Sequence, residues 1–168
     1  MADRTEVKIS GIDGVLALLQ QLPAEVVSKK GGPVKAALRK GARVILAAER
    51  ANLQMVTSNA TDSEKQESTG LLLKNLIASR GKAPTDGKGE RYLVRVKRRT
   101  YVRKSGKPVT TLKTAQILEY GSEKQPAEPW IRPAFKAKAR EAIDVITVDL
   151  VKRLNAVVKK LAAANRGK

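Results

Sequence analysis

Apolar residues recur at Phe135, Ala139, Ile143, Ile146, Leu150, Leu154, Val157 and Leu161, three or four positions apart throughout. That spacing keeps one face of an α-helix apolar for about seven turns. Pro133 suits the first turn, where its fixed φ is already helical and its missing N–H is no loss. The pattern therefore predicts one long amphipathic helix over Trp130–Leu161, with Lys136, Lys138, Arg140, Glu141, Lys152, Arg153 and Lys159 largely off the stripe. A second helix is expected from Pro33 to about Gln54, with Val34, Ala37, Leu38, Ala42, Ile45, Ala48 and Met55 as its apolar face. Gly41 and the alanines of that segment permit close approach to a neighbouring helix.

The shorter elements read less sharply. Thr5 to Ser10 reads as a strand. Asp13 is a plausible N-cap for a short helix through Val15, Leu16, Leu18, Leu19 and Leu22. Ser68 or Thr69 is placed to cap a short helix in Leu71 to Ile77, with Leu72, Leu76 and Ile77 inward. From Arg91 to Val96 polar and apolar residues alternate, and extended runs at Thr100–Arg103 and Val109–Leu112 flank a turn at Lys104–Pro108. This is a β-hairpin or a three-stranded meander. Thr57 to Ser68 and Arg80 to Glu90 are polar and read as mobile loops, and residues 162–168 as a fraying tail. The sum is one α+β domain over residues 1–168: a small, mostly antiparallel sheet, with a basic hairpin, packed by two long helices.

Composition narrows the function classes. The 168 residues are 42% hydrophobic, which fits a folded protein, and 3% aromatic, so the core is built from Leu, Ile, Val and Ala. No run is apolar and long enough to span a bilayer, and the first residues lack the apolar stretch of a signal peptide. Cysteine and histidine are both absent. Disulfides, thiolate metal sites, histidine bases and Ser-His-Asp arrangements go with them. Asp144 and Asp149, five apart, do not share a helix face. Gly81–Gly89 has the look of a phosphate loop, but its spacing is wrong and no Ser or Thr follows Lys88. An enzyme is not expected, and neither cofactor nor metal is.

Charge points elsewhere. Lys and Arg number 34 against 16 acidic residues, a formal net charge of +18. A field of that size favours polyanions. It is concentrated in Arg91, Arg95, Lys97, Arg98, Arg99, Arg103, Lys104, Lys107 and Lys113, a stretch without acids. Such a hairpin can lie along a phosphate backbone, where Tyr92 and Tyr101 could stack on bases. Equally, the charge can protect a sheet edge from aggregation. The cations from Val151 onward suit the C-terminal end of a helix dipole and need no ligand.

Four signals in order resemble the family of tailed-bacteriophage neck proteins, also called head–tail joining or tail-completion proteins. They are the N-terminal strand with Gly11-Ile12 and the Leu-rich helix; Thr69-Gly70-Leu71-Leu72; Glu119-Tyr120-Gly121-Ser122; and Pro126-Ala127-Glu128-Pro129-Trp130-Ile131-Arg132-Pro133-Ala134. The family's forms resemble Thr-Gly-x-Leu-x-x-Ser-Ile, Glu-Phe-Gly-Thr and Pro-Ala-x-Pro-Phe-Leu-Arg-Pro-Ala. Here Asn75, Tyr120, Ser122 and Trp130 replace the commoner Ser, Phe, Thr and Phe. The resemblance implies a non-enzymatic virion protein, made in the host cytoplasm, that acts between the head and the tail. It implies a ring, most simply of six copies, docking to tail-terminator, tail-tube or head-closure proteins, with non-specific contact to DNA. The alternatives are a basic, nucleoid-type DNA-binding protein and an RNA-binding or ribosome-associated factor.

The motifs read as architecture. Gly70 and Gly121 suit turns. Pro126, Pro129 and Pro133 stiffen the approach to the long helix, which Trp130 and Phe135 would anchor. Glu119 is placed to pair with Arg132 across the loop and hold the Tyr120-Gly121 turn.

Overall fold

The computed structural model describes residues 32–59, 69–82, 90–103 and 106–166. The strand expected over residues 5–10 and the helix expected over residues 13–22 lie outside these residues. So does most of the loop expected at residues 57–68 and of that at residues 80–90.

Helix α1, Pro33–Asn59, opens on the proline and runs past the expected stop at Gln54, taking in Thr57. Thr57 and Ser58 turn their hydroxyls back onto the carbonyls of Leu53 and Gln54, which lets polar residues extend the last turn. Its buried seam is Ala37, Gly41, Ile45, Glu49 and Leu53, one residue per turn. Met55, expected on the inner face, is instead exposed.

Gly70, with φ 62°, then turns the chain into the single-turn helix α2, Leu71–Asn75. Thr69 does not act as its N-cap, and Ser68, the other expected cap, lies outside the described residues. Gly70 takes that position without a side-chain bond, and Thr69 Oγ1 only accepts weakly from Leu71 N at 3.4 Å. The apolar run does not continue as helix. Leu76 leaves it in an extended conformation to begin strand β1, Leu76–Arg80. Strand β2, Tyr92–Val96, pairs antiparallel with β1, Leu76 opposite Val96 and Arg80 opposite Tyr92. The hairpin's loop end is held by Gly81 N donating to Arg91 O and by a bidentate Arg80–Glu90 pair, so Arg80 is the last residue of β1 and Glu90 is tied to it, where both were expected in a loop.

Strands β3, Thr100–Val102, and β4, Pro108–Thr110, form a second antiparallel hairpin. The two pairs are separate two-stranded sheets, so no three-stranded meander forms among the described residues. Thr111 then opens helix α3, Thr111–Tyr120, where a returning strand was expected. Thr110 accepts from Lys113 N, which caps that helix and stops β4. Helix α4, Ile131–Arg166, is the predicted long helix, and it continues through residues expected to fray.

The two long helices run antiparallel. Ala37 packs with Leu150 and Leu154 at one end, while Asn52 Nδ2 donates to Trp130 O at the other. Between these ends the backbones come close. A Cβ on Gly41 would lie 2.4 Å from Ile146 Cγ1 and 2.9 Å from the Ala142 carbonyl, so no larger residue fits. Asp149, buried on α4, accepts from Lys40 of α1 and from Arg153. The Lys40 bond, then the Arg153 bond, holds its carboxyl below the usual aspartate range. The second and larger core joins Leu53, Leu76, Ala115 and Trp130, with Leu72, Leu118 and Ile131 packed against them. The fold is α+β, as the sequence predicts, with two long helices against small antiparallel strand pairs.

Candidate assembly site around Glu119

Two sequence motifs meet at the start of α4 on one carboxylate, and Leu72 of a third packs against the core that holds Trp130. Glu119 lies in the last turn of α3 and is 1% exposed. Gly121, with φ 78°, ends that helix. A Cβ there would stand 2.9 Å from Ala127 N and 3.1 Å from Gln125 O, so this turn needs glycine for space as well as for φ. The chain doubles back through a tight Ser122–Gln125 bridge, and Glu128 N donates to Leu118 O. That return brings the Trp130–Pro133 turn onto the Glu119 side chain.

The geometry there solves a general problem. A helix begins with four backbone N–H groups that have no partner in the helix itself. Glu119 Oε2 accepts from Trp130 N and Ile131 N, both at 2.8 Å, and Oε1 accepts from Arg132 N at 3.2 Å. The fourth position is Pro133, which has no N–H. One carboxylate and one proline therefore account for the whole helix start. The negative charge also sits at the positive end of a 36-residue helix dipole.

Arg132 completes the joint. Its Nε donates to Glu119 Oε1 at 2.8 Å, and a terminal nitrogen donates to Glu119 O at 3.1 Å. Its guanidinium lies over the Tyr120 ring, 5.1 Å from the centroid. The Glu119–Arg132 pair is thus formed as the sequence suggests, but the backbone N–H groups do most of the holding. Burial alone would raise the Glu119 carboxyl. The bonds from Ile131, Trp130 and Arg132 outweigh it and hold the group below the usual glutamate range.

The other motif residues divide into inner and outer sets. Trp130 is fully buried, with Leu72 against the same core. Its indole Nε1 has no hydrogen-bond partner among the described residues. Thr69, Gly70, Tyr120, Ser122, Pro129, Arg132 and Pro133 are exposed and lie on the outside of the joint. Phe135 departs from its expected anchoring role: it is 41% exposed and lines a groove.

The cations do not form one hairpin surface. Arg91 and Arg95 alternate outward from β2, where Arg95 also donates to Ser79 of β1. Lys97, Arg98 and Arg99 are exposed on the link to β3, Lys107 precedes β4, and Lys113 stands on α3. Arg103 is only partly exposed, and Lys104 lies outside the described residues. Nor are the tyrosines free platforms. Tyr101 shares a 2.7 Å hydrogen bond with Thr114, and Tyr92 is half-buried beside the groove.

Thr111 was not singled out by the sequence, yet it fixes the basic link. Fully buried, it donates through Oγ1 to Lys97 O at 2.8 Å and accepts from Arg99 N at 2.9 Å. Its position next to Thr110, the cap, was the available signal. Glu49 was missed too, although it falls on the α1 seam between Ile45 and Leu53.

Among the described residues no cluster of acidic side chains could hold a metal ion, and no helix is long and apolar enough to cross a membrane. In comparisons with known proteins, no family model, no curated protein and no solved structure matches this chain.

Proposed function

We propose that this chain is a non-enzymatic structural protein of a tailed-phage virion, acting at the head–tail junction as one subunit of a ring. The observation that carries this reading is the Glu119 joint. Two of the motifs that resemble the neck family, Glu119–Ser122 and Pro129–Pro133, are joined by one buried carboxylate, and Leu72 of the third packs against the core that holds Trp130. The joint fixes the direction of α4 rigidly and leaves Tyr120, Ser122, Pro129 and Arg132 outward, as a docking corner requires. A closed ring uses a different surface on each side of the subunit, so that corner would meet a different face of the next copy. Tail-terminator, tail-tube or head-closure proteins are the neighbours in this reading. Particles made without the protein, viewed by electron microscopy, should show unjoined heads and tails. Normally joined, infectious particles would overturn the proposal.

A second reading, a basic DNA-binding protein, draws on the exposed cations Arg91, Arg95, Lys97, Arg98, Arg99, Lys107 and Lys113. It predicts that the isolated chain binds duplex DNA with a steep fall in affinity as salt rises. Weak binding by the isolated protein, together with co-purification with tails or heads, favours the first reading.

A further inference from the structure

Between α1, β2 and the first half of α4 lies an open groove of about 540 Å³, with Ile45 on α1 and Phe135 and Ile143 on α4 among its apolar walls. The sheet's side of it is made by Tyr92, Leu93 and Val94 of β2, and by no residue of β1 among those described. Tyr92 and Leu93 point to opposite faces of the ribbon, because side chains alternate along a strand. Both line the groove, so β2 meets it edge-on.

The ladder shows what that edge carries. Gly81 N donates to Arg91 O and Lys97 N to Asn75 O, each at 2.8 Å, and both pairs continue the register of β1 with β2. Bonded pairs alternate along an antiparallel ribbon, so Arg91, Leu93, Arg95 and Lys97 are the residues that bond across to β1. Tyr92, Val94 and Val96 turn their N–H and C=O groups the other way, to the groove, where no described strand pairs with them. The outer edge of β1 differs, since there Leu76 O accepts from Arg50 Nη2 at 3.0 Å. A strand edge of this kind is a template for one more strand, which would run about 4.8 Å beyond β2 and so within the groove.

We propose that an extended segment of another protein, with apolar and acidic residues in alternation, docks in this groove as a third strand beside β2.

The alternation follows from the two faces that an added strand would meet. Its inward side chains would face Ile45, Phe135 and Ile143, which take apolar residues. Its outward side chains would stand beside Arg91, Leu93 and Arg95, the exposed face of β2, where an acid opposite an arginine is stabilising. Exposed Lys136 on the α4 wall has the same sign, whereas Glu49, the acid among the lining residues, is buried. A second copy of this chain is a poor source for such a strand. The chain carries a net charge of +18, and β1 to β4 contain no Asp or Glu. Nothing in this pairing depends on the chain's place in a virion.

The probe is a fluorescein-labelled peptide, Glu-Val-Glu-Ile-Glu-Val-Glu, titrated with the full chain and followed by anisotropy. Saturable binding is expected, and no binding overturns the proposal. A peptide of the same composition with its acids grouped at one end, or one with Lys for Glu, should bind at least about tenfold more weakly. Equal binding of either would reduce the effect to something other than an alternating acidic strand and overturns the proposal. Two further peptides carry N-methyl groups on alternate residues, one on Val and Ile, the other on Glu. Only one of these sets of N–H groups faces β2, so one peptide should lose at least about tenfold in affinity while the other keeps it. Equal effects would contradict pairing with the edge. In the protein, Arg91→Glu with Arg95→Glu should weaken binding at least about tenfold. Lys152→Glu with Lys159→Glu makes the same change in net charge at exposed positions on the far half of α4, and should weaken it less than about twofold. Circular dichroism checks that both variants are folded, and equal weakening by the two would remove the site from this groove.

Discussion

Two glutamates, Glu119 and Glu49, are both nearly buried, at 1% and 4% exposure, and they titrate in opposite directions. Glu119 is surrounded by donors: three backbone N–H groups and a guanidinium. Glu49 has apolar neighbours and the Glu119 charge, and burial followed by that charge pushes its carboxyl up to about 7. Burial therefore does not decide the state of a carboxylate; the supply of donors does. The Glu119 region is a finished joint. The Glu49 region is a groove wall, where burial and a like charge act on the carboxyl instead.

The sharpest way to break this contrast is Glu119→Ala. It leaves three N–H groups and Arg132 without their acceptor, and should cost about 3–5 kcal/mol of unfolding free energy, read by denaturant titration. Loss of less than about 1 kcal/mol would mean that water caps α4 equally well. Gly121→Ala attacks the same joint through the backbone, by positive φ and by the contact with Ala127 N. It should cost about 2–3 kcal/mol. At Glu49 the sign reverses. Because its folded carboxyl titrates above the ordinary glutamate value of 4.5, the native state holds the proton more tightly, and stability falls as pH rises from 4.5 through about 7. Glu49→Gln should therefore stabilise the protein by about 1–3 kcal/mol at pH 8 and by almost nothing at pH 4, allowing for screening at the groove mouth. For Glu119, held below 4.5, the contribution is present above that pH and fades as pH falls through the lower folded value. Arg132→Ala should be the mildest change, about 1 kcal/mol, since the side chain is 54% exposed and the backbone donors remain. A loss as large as that of Glu119→Ala would show that the ion pair, not the cap, holds the joint.

The parts of this architecture that were legible in the sequence are those set by long periods. The α1 and α4 stripes span many turns, and Pro133 and Gly121 punctuate where the chain must turn. The Glu119–Arg132 pair could be read from two motifs because both ends lie at turns. What escaped the sequence depended on contacts between distant residues. Leu71–Ile77 is too short an apolar run to separate helix from strand, and pairing with β2 decides that Leu76 onward is strand. Thr111 and Leu112 look like strand by their local character, yet the Thr110 cap commits them to α3. The Glu119 carboxylate's hold on three backbone N–H groups cannot be read from side-chain types at all. Glu49 was hidden by its charge: a glutamate on a seam otherwise made of Ala, Gly, Ile and Leu reads as surface.

The contrast between these two carboxylates is tested most directly by following their side-chain carboxyl ¹³C resonances through a pH titration of the full chain, assigned with Glu119→Gln and Glu49→Gln. Glu119 should titrate below 4.5 and Glu49 near 7, with Glu49 moving down in the Glu119→Gln protein because a neighbouring negative charge is gone. Two carboxylates titrating together near 4.5 would contradict the account.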